Sequence, residues 1–141
     1  MSADCVFCKI RDGKIPSIKI YEDQATLAFM DINPLNNGHC LVVTKNHAAT
    51  IWEAETADLQ AAIATAKKVA TALRETVKPD GLNMLQANGT AAFQSVPHFH
   101  LHLIPRWQGD GKGFDWKPVP GDPAAIGATG ERLRAALGAQ R

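Results

Sequence analysis

The sequence lacks any apolar run of membrane-spanning length and any block of like charge. The first absence argues against a transmembrane helix, which needs about 20 consecutive apolar residues. The second, with 15 Lys plus Arg against 14 Asp plus Glu, leaves no basic stripe of the kind that tracks a nucleic-acid backbone. Nucleic acid is therefore a poor partner, whereas a mononucleotide, which needs only local donors, stays open. Met1-Ser2-Ala3-Asp4-Cys5 lacks the apolar core of a secretory signal, so a cytoplasmic location is expected. There the three cysteines are expected to be reduced or metal-bound rather than bridged. No internal repeat or second domain is evident. A chain of 141 residues suits one domain whose surface fraction is high enough for a homodimer to help stability.

What is present reads as short strands around one long helix. Apolar stretches at Ile18–Tyr21 and Thr26–Met30, joined at Glu22-Asp23, predict a hairpin. The turn signal Asn33-Pro34-Leu35-Asn36-Asn37-Gly38 precedes a buried strand at Cys40–Val43. Leu59, Ile63, Ala66, Ala70, Leu73 and Val77 recur at spacings of four and three, which predicts a helix over Thr56–Val77 with Thr56 as N-cap and Pro79-Asp80-Gly81 as stop. Further strands are expected at Leu82–Ala87 and His98–Ile104, the latter closed by Pro105. Beyond Trp107 a Gly- and Pro-rich arm leads to a short helix from Asp122-Pro123 through Leu137. The fold class is α+β, a five-stranded antiparallel sheet with one long helix and a short C-terminal helix.

Histidine is confined to two stretches, His39 and His47, then His98, His100 and His102. The last three alternate with Phe99, Leu101 and Leu103, so on a strand the imidazoles share one face and the apolar residues face the core. Such a row suits a metal-dependent hydrolase, covalent catalysis by one imidazole, or simply a polar outer face. The flanking loop favours the second: Gly89 to Pro97 supplies backbone N–H groups and the Ser95 hydroxyl, which suit an anionic oxygen cluster. It has no Asp or Glu, which a zinc hydrolase would usually want nearby. Cys5-x-x-Cys8 alone fits a redox pair, a zinc half-site or coincidence. Cys40 lies in a buried strand and reads as core.

Ser95-Val96-Pro97-His98-Phe99-His100-Leu101-His102-Leu103-Ile104-Pro105-Arg106 resembles the signature of the histidine triad family. Phe7-Cys8-Lys9-Ile10, Ile15-Pro16, Tyr21-Glu22-Asp23, Ala28-Phe29-Met30-Asp31-Ile32, Gly38-His39 and Lys45-Asn46-His47 extend the resemblance, toward a Hint-like bacterial branch with a C-terminal extension. It divides the chain into a histidine triad domain, 1–107, and an arm with a short helix, 108–141, belonging to the same domain.

The resemblance implies a nucleoside phosphoramidase or nucleotidyl hydrolase acting on purine nucleotide conjugates. His100 matches the nucleophile at the α-phosphorus, with His98, His102 and His39 around it and Ser95 assisting the leaving group. Asp31 matches the carboxylate on the ribose hydroxyls, and Phe7, Ile10, Phe29 and Ile32 the walls of the base pocket. Asn83 and Gln94 match polar positions near the site. A dinucleoside polyphosphate hydrolase and a nucleotide-binding interaction module are the alternatives. The resemblance further implies a structural zinc on Cys5, Cys8, His47 and His98, no catalytic metal, and a homodimer sharing one continuous sheet. The chain departs from the family at Ala87, Phe93 and Pro97, where Asn or Gln, Gly, and an aromatic or aliphatic residue are common.

Overall fold

A computed structural model describes residues 4–114 and 116–139. In chain order the elements are α1 (Val6–Arg11), β1 (Lys19–Glu22), β2 (Thr26–Met30), β3 (Cys40–Thr44), α2 (Thr56–Thr76), β4 (Gly81–Leu85), β5 (His100–Arg106) and α3 (Pro123–Ala139). The strands form one antiparallel sheet in the order β1-β2-β3-β5-β4. This is the α+β architecture expected from the sequence.

The two faces of the sheet are covered differently. α2 lies on one face, where Ala62, Ala66, Val69 and Leu73 pack on Ala28, Cys40, Val42, Leu101 and Leu103. α1 lies on the other, where Phe7 and Cys8 meet Leu27, Phe29, Leu41 and Val43. β3 is thus buried along its whole length and β2 along nearly all of it, which is why both read as continuous apolar runs rather than alternations. Thr65 of α2 is tied to the hairpin through the Thr26 hydroxyl at 2.8 Å, and Thr26 donates in turn to Asp23.

The structure departs from the sequence expectation at several points. The buried side of α2 is Ala62, Thr65, Ala66, Val69 and Leu73, rotated from the expected stripe, so that Ile63 is 48% exposed. Glu55, not Thr56, is the N-cap, and it makes no side-chain cap bond. α1 is an unexpected element; six residues are too few for periodicity to register. β5 begins at His100 rather than His98 and runs through Pro105. Beyond Leu103 it pairs with β4 alone, and a strand bonded on one side tolerates proline. Gly38 has φ of +89°, and a Cβ there would stand 3.1 Å from the Pro105 ring. Only glycine turns the chain this closely under β5 to deliver His39.

Candidate active site

Alternation along the β5 segment orients the histidines as expected. Phe99, Leu101 and Leu103 enter the core beneath α2, and the three imidazoles take the opposite face. There the His100 and His102 rings lie 4.9 Å apart, and Phe7 of α1 meets both His98 and His100 edge-on.

Hydrogen bonds fix which nitrogen of each ring carries the proton. His100 Nδ1 lies 2.7 Å from the His98 carbonyl oxygen. A carbonyl can only accept, so Nδ1 donates and Nε2 keeps its lone pair. Burial pushes His100 below the usual histidine range, which keeps that lone pair free near neutral pH. For His39, the Leu35 N–H donates to Nδ1 at 2.9 Å, so its proton sits on Nε2. That atom is 3.0 Å from His102 Nδ1, which accepts, leaving His102 with an Nε2–H donor. Burial holds both rings below the usual range as well. Asp31 Oδ2 stands 3.4 Å from His39 Nε2.

His100, His102 and Asp31 border a cavity of about 340 Å³, while His39 stands outside its lining, behind His102. Phe7, Ile10, Phe29, Asp31, Ile32, Ser95, His100 and His102 all line it, so the structure gathers eight of the positions singled out in the sequence. Val6, Ile15, Met30 and Val96 also contribute and were not anticipated. Val6, Phe7 and Ile10 come together because α1 is helical, and a spacing of one and four was the available signal.

Of the four other expected positions, His39 backs His102, His98 turns its ring to the cysteines, and Asn83 and Gln94 serve elsewhere. Asn83 accepts from Arg106 at 2.9 Å and lies outside this cavity. Gln94 fastens the loop: its Oε1 accepts from the Gly89 N–H, and its Nε2 donates to the Ala49 and Val96 carbonyls. Gly89, with φ 88° and ψ 157°, and Phe93, with φ 66°, form the bends that aim Ser95 at the cavity. The first conformation is essentially glycine-only.

The remaining two histidines meet the cysteines. The ligand atoms of Cys5, Cys8, His47 and His98 all lie within 4.8 Å of one another. Cys5 Sγ to His98 Nδ1 is 3.3 Å, Cys8 Sγ to His47 Nδ1 3.4 Å and the two Nδ1 atoms 3.2 Å apart. A tetrahedral zinc with these ligands has edges of about 3.3–3.8 Å. His98 Nε2 donates to the Thr44 carbonyl at 2.6 Å, which frees Nδ1 to ligate, the usual arrangement around a metal-bound imidazole. The residues therefore fit a closed structural zinc. Asp31, His39 and His102 also cluster, but they fit a metal poorly. The Leu35 N–H at His39 Nδ1 puts the proton on Nε2, the atom that would have to ligate.

Comparison with known proteins matches residues 12–109 to the HIT domain family. The Bacillus subtilis (strain 168) protein named Protein hit is 45% identical over 115 residues, covering 81% of this chain and 79% of its own. The adenosine 5′-monophosphoramidase hnt1 of Schizosaccharomyces pombe is 40% identical over 130 residues, covering 92% and 95%. Among solved structures, a Zn-bound histidine triad family protein from Mycobacterium smegmatis superposes with a TM-score of 0.76 at 36% identity, over 100% of both chains.

Proposed function

The chain belongs to the HIT domain family, and from that premise we propose that it hydrolyses AMP conjugates of the nucleoside phosphoramidate type through a nucleotidyl group carried on His100. The observation that carries the proposal is the orientation of His100, its Nδ1 held by the His98 carbonyl and its Nε2 left nucleophilic, in a cavity also lined by Asp31 and Ser95. The name of the fission yeast relative agrees with that substrate class.

In this mechanism Phe7, Ile10, Phe29 and Ile32 take the purine and Asp31 accepts from the ribose hydroxyls. Nε2 of His100 attacks the α-phosphorus, forming an N–P bond as the bond to the leaving nitrogen breaks. The amine leaves with a proton relayed from solvent water through the Ser95 hydroxyl, which gives up one proton as it takes another. Water then breaks the N–P bond, returning that proton and releasing AMP. The His102 Nε2–H, oriented by His39, donates to a phosphoryl oxygen while charge builds there; such fixed donors and close placement supply the largest parts of the rate.

A zinc on Cys5, Cys8, His47 and His98 would be structural, cross-linking α1 to the segment that leads into β5. The assembly we propose is a homodimer in which the exposed edge of β4 pairs with its counterpart to continue the sheet, residues 1–107 forming the domain and 108–141 its appended arm. No helix among the described residues is long and apolar enough to cross a membrane.

The test is turnover of AMP-morpholidate and diadenosine tetraphosphate, with and without chelator, by the wild type and His100→Ala. Chelator-resistant hydrolysis of the morpholidate, lost by at least about 10³-fold in the variant, is expected. Activity abolished by chelator and restored by metal would replace covalent histidine chemistry with metal hydrolysis. Nucleotide binding without any turnover would make the protein an interaction module.

A further inference from the structure

A second cavity, of about 500 Å³, adjoins the first across a common wall of Asp31, Asn33, Ser95 and His102. Its far side is apolar apart from the His39 ring: Pro34 and Leu35 before β3, Leu85 on β4, Ile104 on β5, and Phe114 from the C-terminal arm. The arm is not loosely placed where it reaches this cavity. Arg106 grips Asp110 through two bonds of 2.8 and 2.9 Å and holds the Lys112 carbonyl at 2.7 Å. Asp110 also accepts from the Trp107 and Lys112 N–H groups and from Asn36. Gly109 and Gly111, with φ of 76° and 72°, supply the reversals that this knot needs. Phe114 leaves the knot two residues later and lies half-exposed over the cavity.

We infer that this second cavity is the leaving-group subsite and that Phe114 is a specificity residue in it, selecting AMP conjugates of uncharged apolar or aromatic amines. The inference rests on the phosphoramidase function proposed above and deepens it. With the nucleotide in the first cavity and its phosphorus before His100, the group expelled past Ser95 and His102 enters the second. Among the described residues no Lys or Arg lines that cavity. The further phosphates of a dinucleoside polyphosphate would therefore lose water there without gaining a cation, a costly exchange. An ammonium-bearing amine would find one carboxylate, Asp31, which already faces His39 and accepts from the Asn33 N–H. An aromatic ring instead gains the apolar wall and an edge-to-face or offset partner in Phe114.

The experiment compares kcat/KM of the full chain for four substrates: adenosine 5′-phosphoramidate, its N-benzyl derivative, its N-(2-ammonioethyl) derivative, and diadenosine tetraphosphate. The wild type is expected to favour the benzyl over the ammonioethyl compound by about tenfold, equivalent to about 1.4 kcal/mol, and to be slowest on the dinucleotide. In Phe114→Ala the ratio of benzyl to unsubstituted compound should fall about fivefold, chiefly through KM, and Phe114→Leu should recover part of it. Equal ratios in wild type and Phe114→Ala, or preference for the charged or dinucleotide substrate, would overturn the subsite while leaving His100-dependent cleavage standing. Absence of His100-dependent turnover of all four would remove the underlying function as well.

Discussion

Phe93 illustrates how a single backbone angle can be legible as an anomaly before its cause is visible. In the sequence it is a departure from the pattern that the family resemblance implies, a large residue where that pattern has glycine. In the structure it has φ of 66° and its side chain is 92% exposed. The left-handed region costs an L-residue roughly 1–2 kcal/mol, against roughly 0.5–1 kcal/mol of extra chain entropy for glycine. The ring buries almost nothing in return. Phe93→Gly is therefore expected to leave the fold intact and raise stability by up to about 1 kcal/mol, read as a higher urea midpoint at unchanged slope. A loss of stability would mean that the ring has a partner outside the single chain. The tautomers of His39, His100 and His102, by contrast, were not legible at all. They depend on the Leu35 N–H and the His98 carbonyl, backbone groups whose direction no residue name records.

At the level of elements, strands were read more reliably than the surfaces they present. β2 and β3 stood out because burial on both sides makes them uniformly apolar. The long helix was found but its inward side was set off by about one residue, because small residues such as Ala62 and Thr65 carry little hydrophobic signal even when fully buried. α1 was missed, yet it supplies Val6, Phe7 and Ile10 to the cavity beside His100 and Cys8 to the cysteine–histidine cluster. That cluster joins α1 to the segment leading into β5, and His98 belongs to both systems: its ring faces the cysteines while its carbonyl holds His100. Cys5→Ser is accordingly expected to lower bound zinc from about one per chain toward none. It should also cost about 4 kcal/mol of stability where free zinc stands 1,000-fold above its Kd. Metal analysis and thermal unfolding measure the two effects. Unchanged zinc content would refute the ligand set, and zinc loss without destabilisation would refute its structural role.

For the whole molecule, one position that periodicity misassigned, Ile63, marks a surface that a second copy would fit. Ile63 was expected inside; it lies instead at the surface beside Leu82 and Met84, in an apolar groove along α2 and β4. β4 ends the sheet, and an uncovered edge strand flanked by apolar side chains invites pairing. Among the described residues α1 and α2 are committed to the two faces of β2 and β3, and α3 buries none of its residues, so neither the β4 edge nor the groove is covered within the chain. A two-fold partner satisfies both at once, since an isologous contact places β4 against β4 and groove against groove. Met84→Glu puts two carboxylates across that contact. Sedimentation is expected to show a dimer for the wild type and a monomer for the variant. The wild-type melting temperature should rise with protein concentration and that of the variant should not, because association stabilises only by mass action. A Met84→Glu protein that stays dimeric would move the interface away from β4, and a wild type that is monomeric at every concentration would leave the groove to some other occupant.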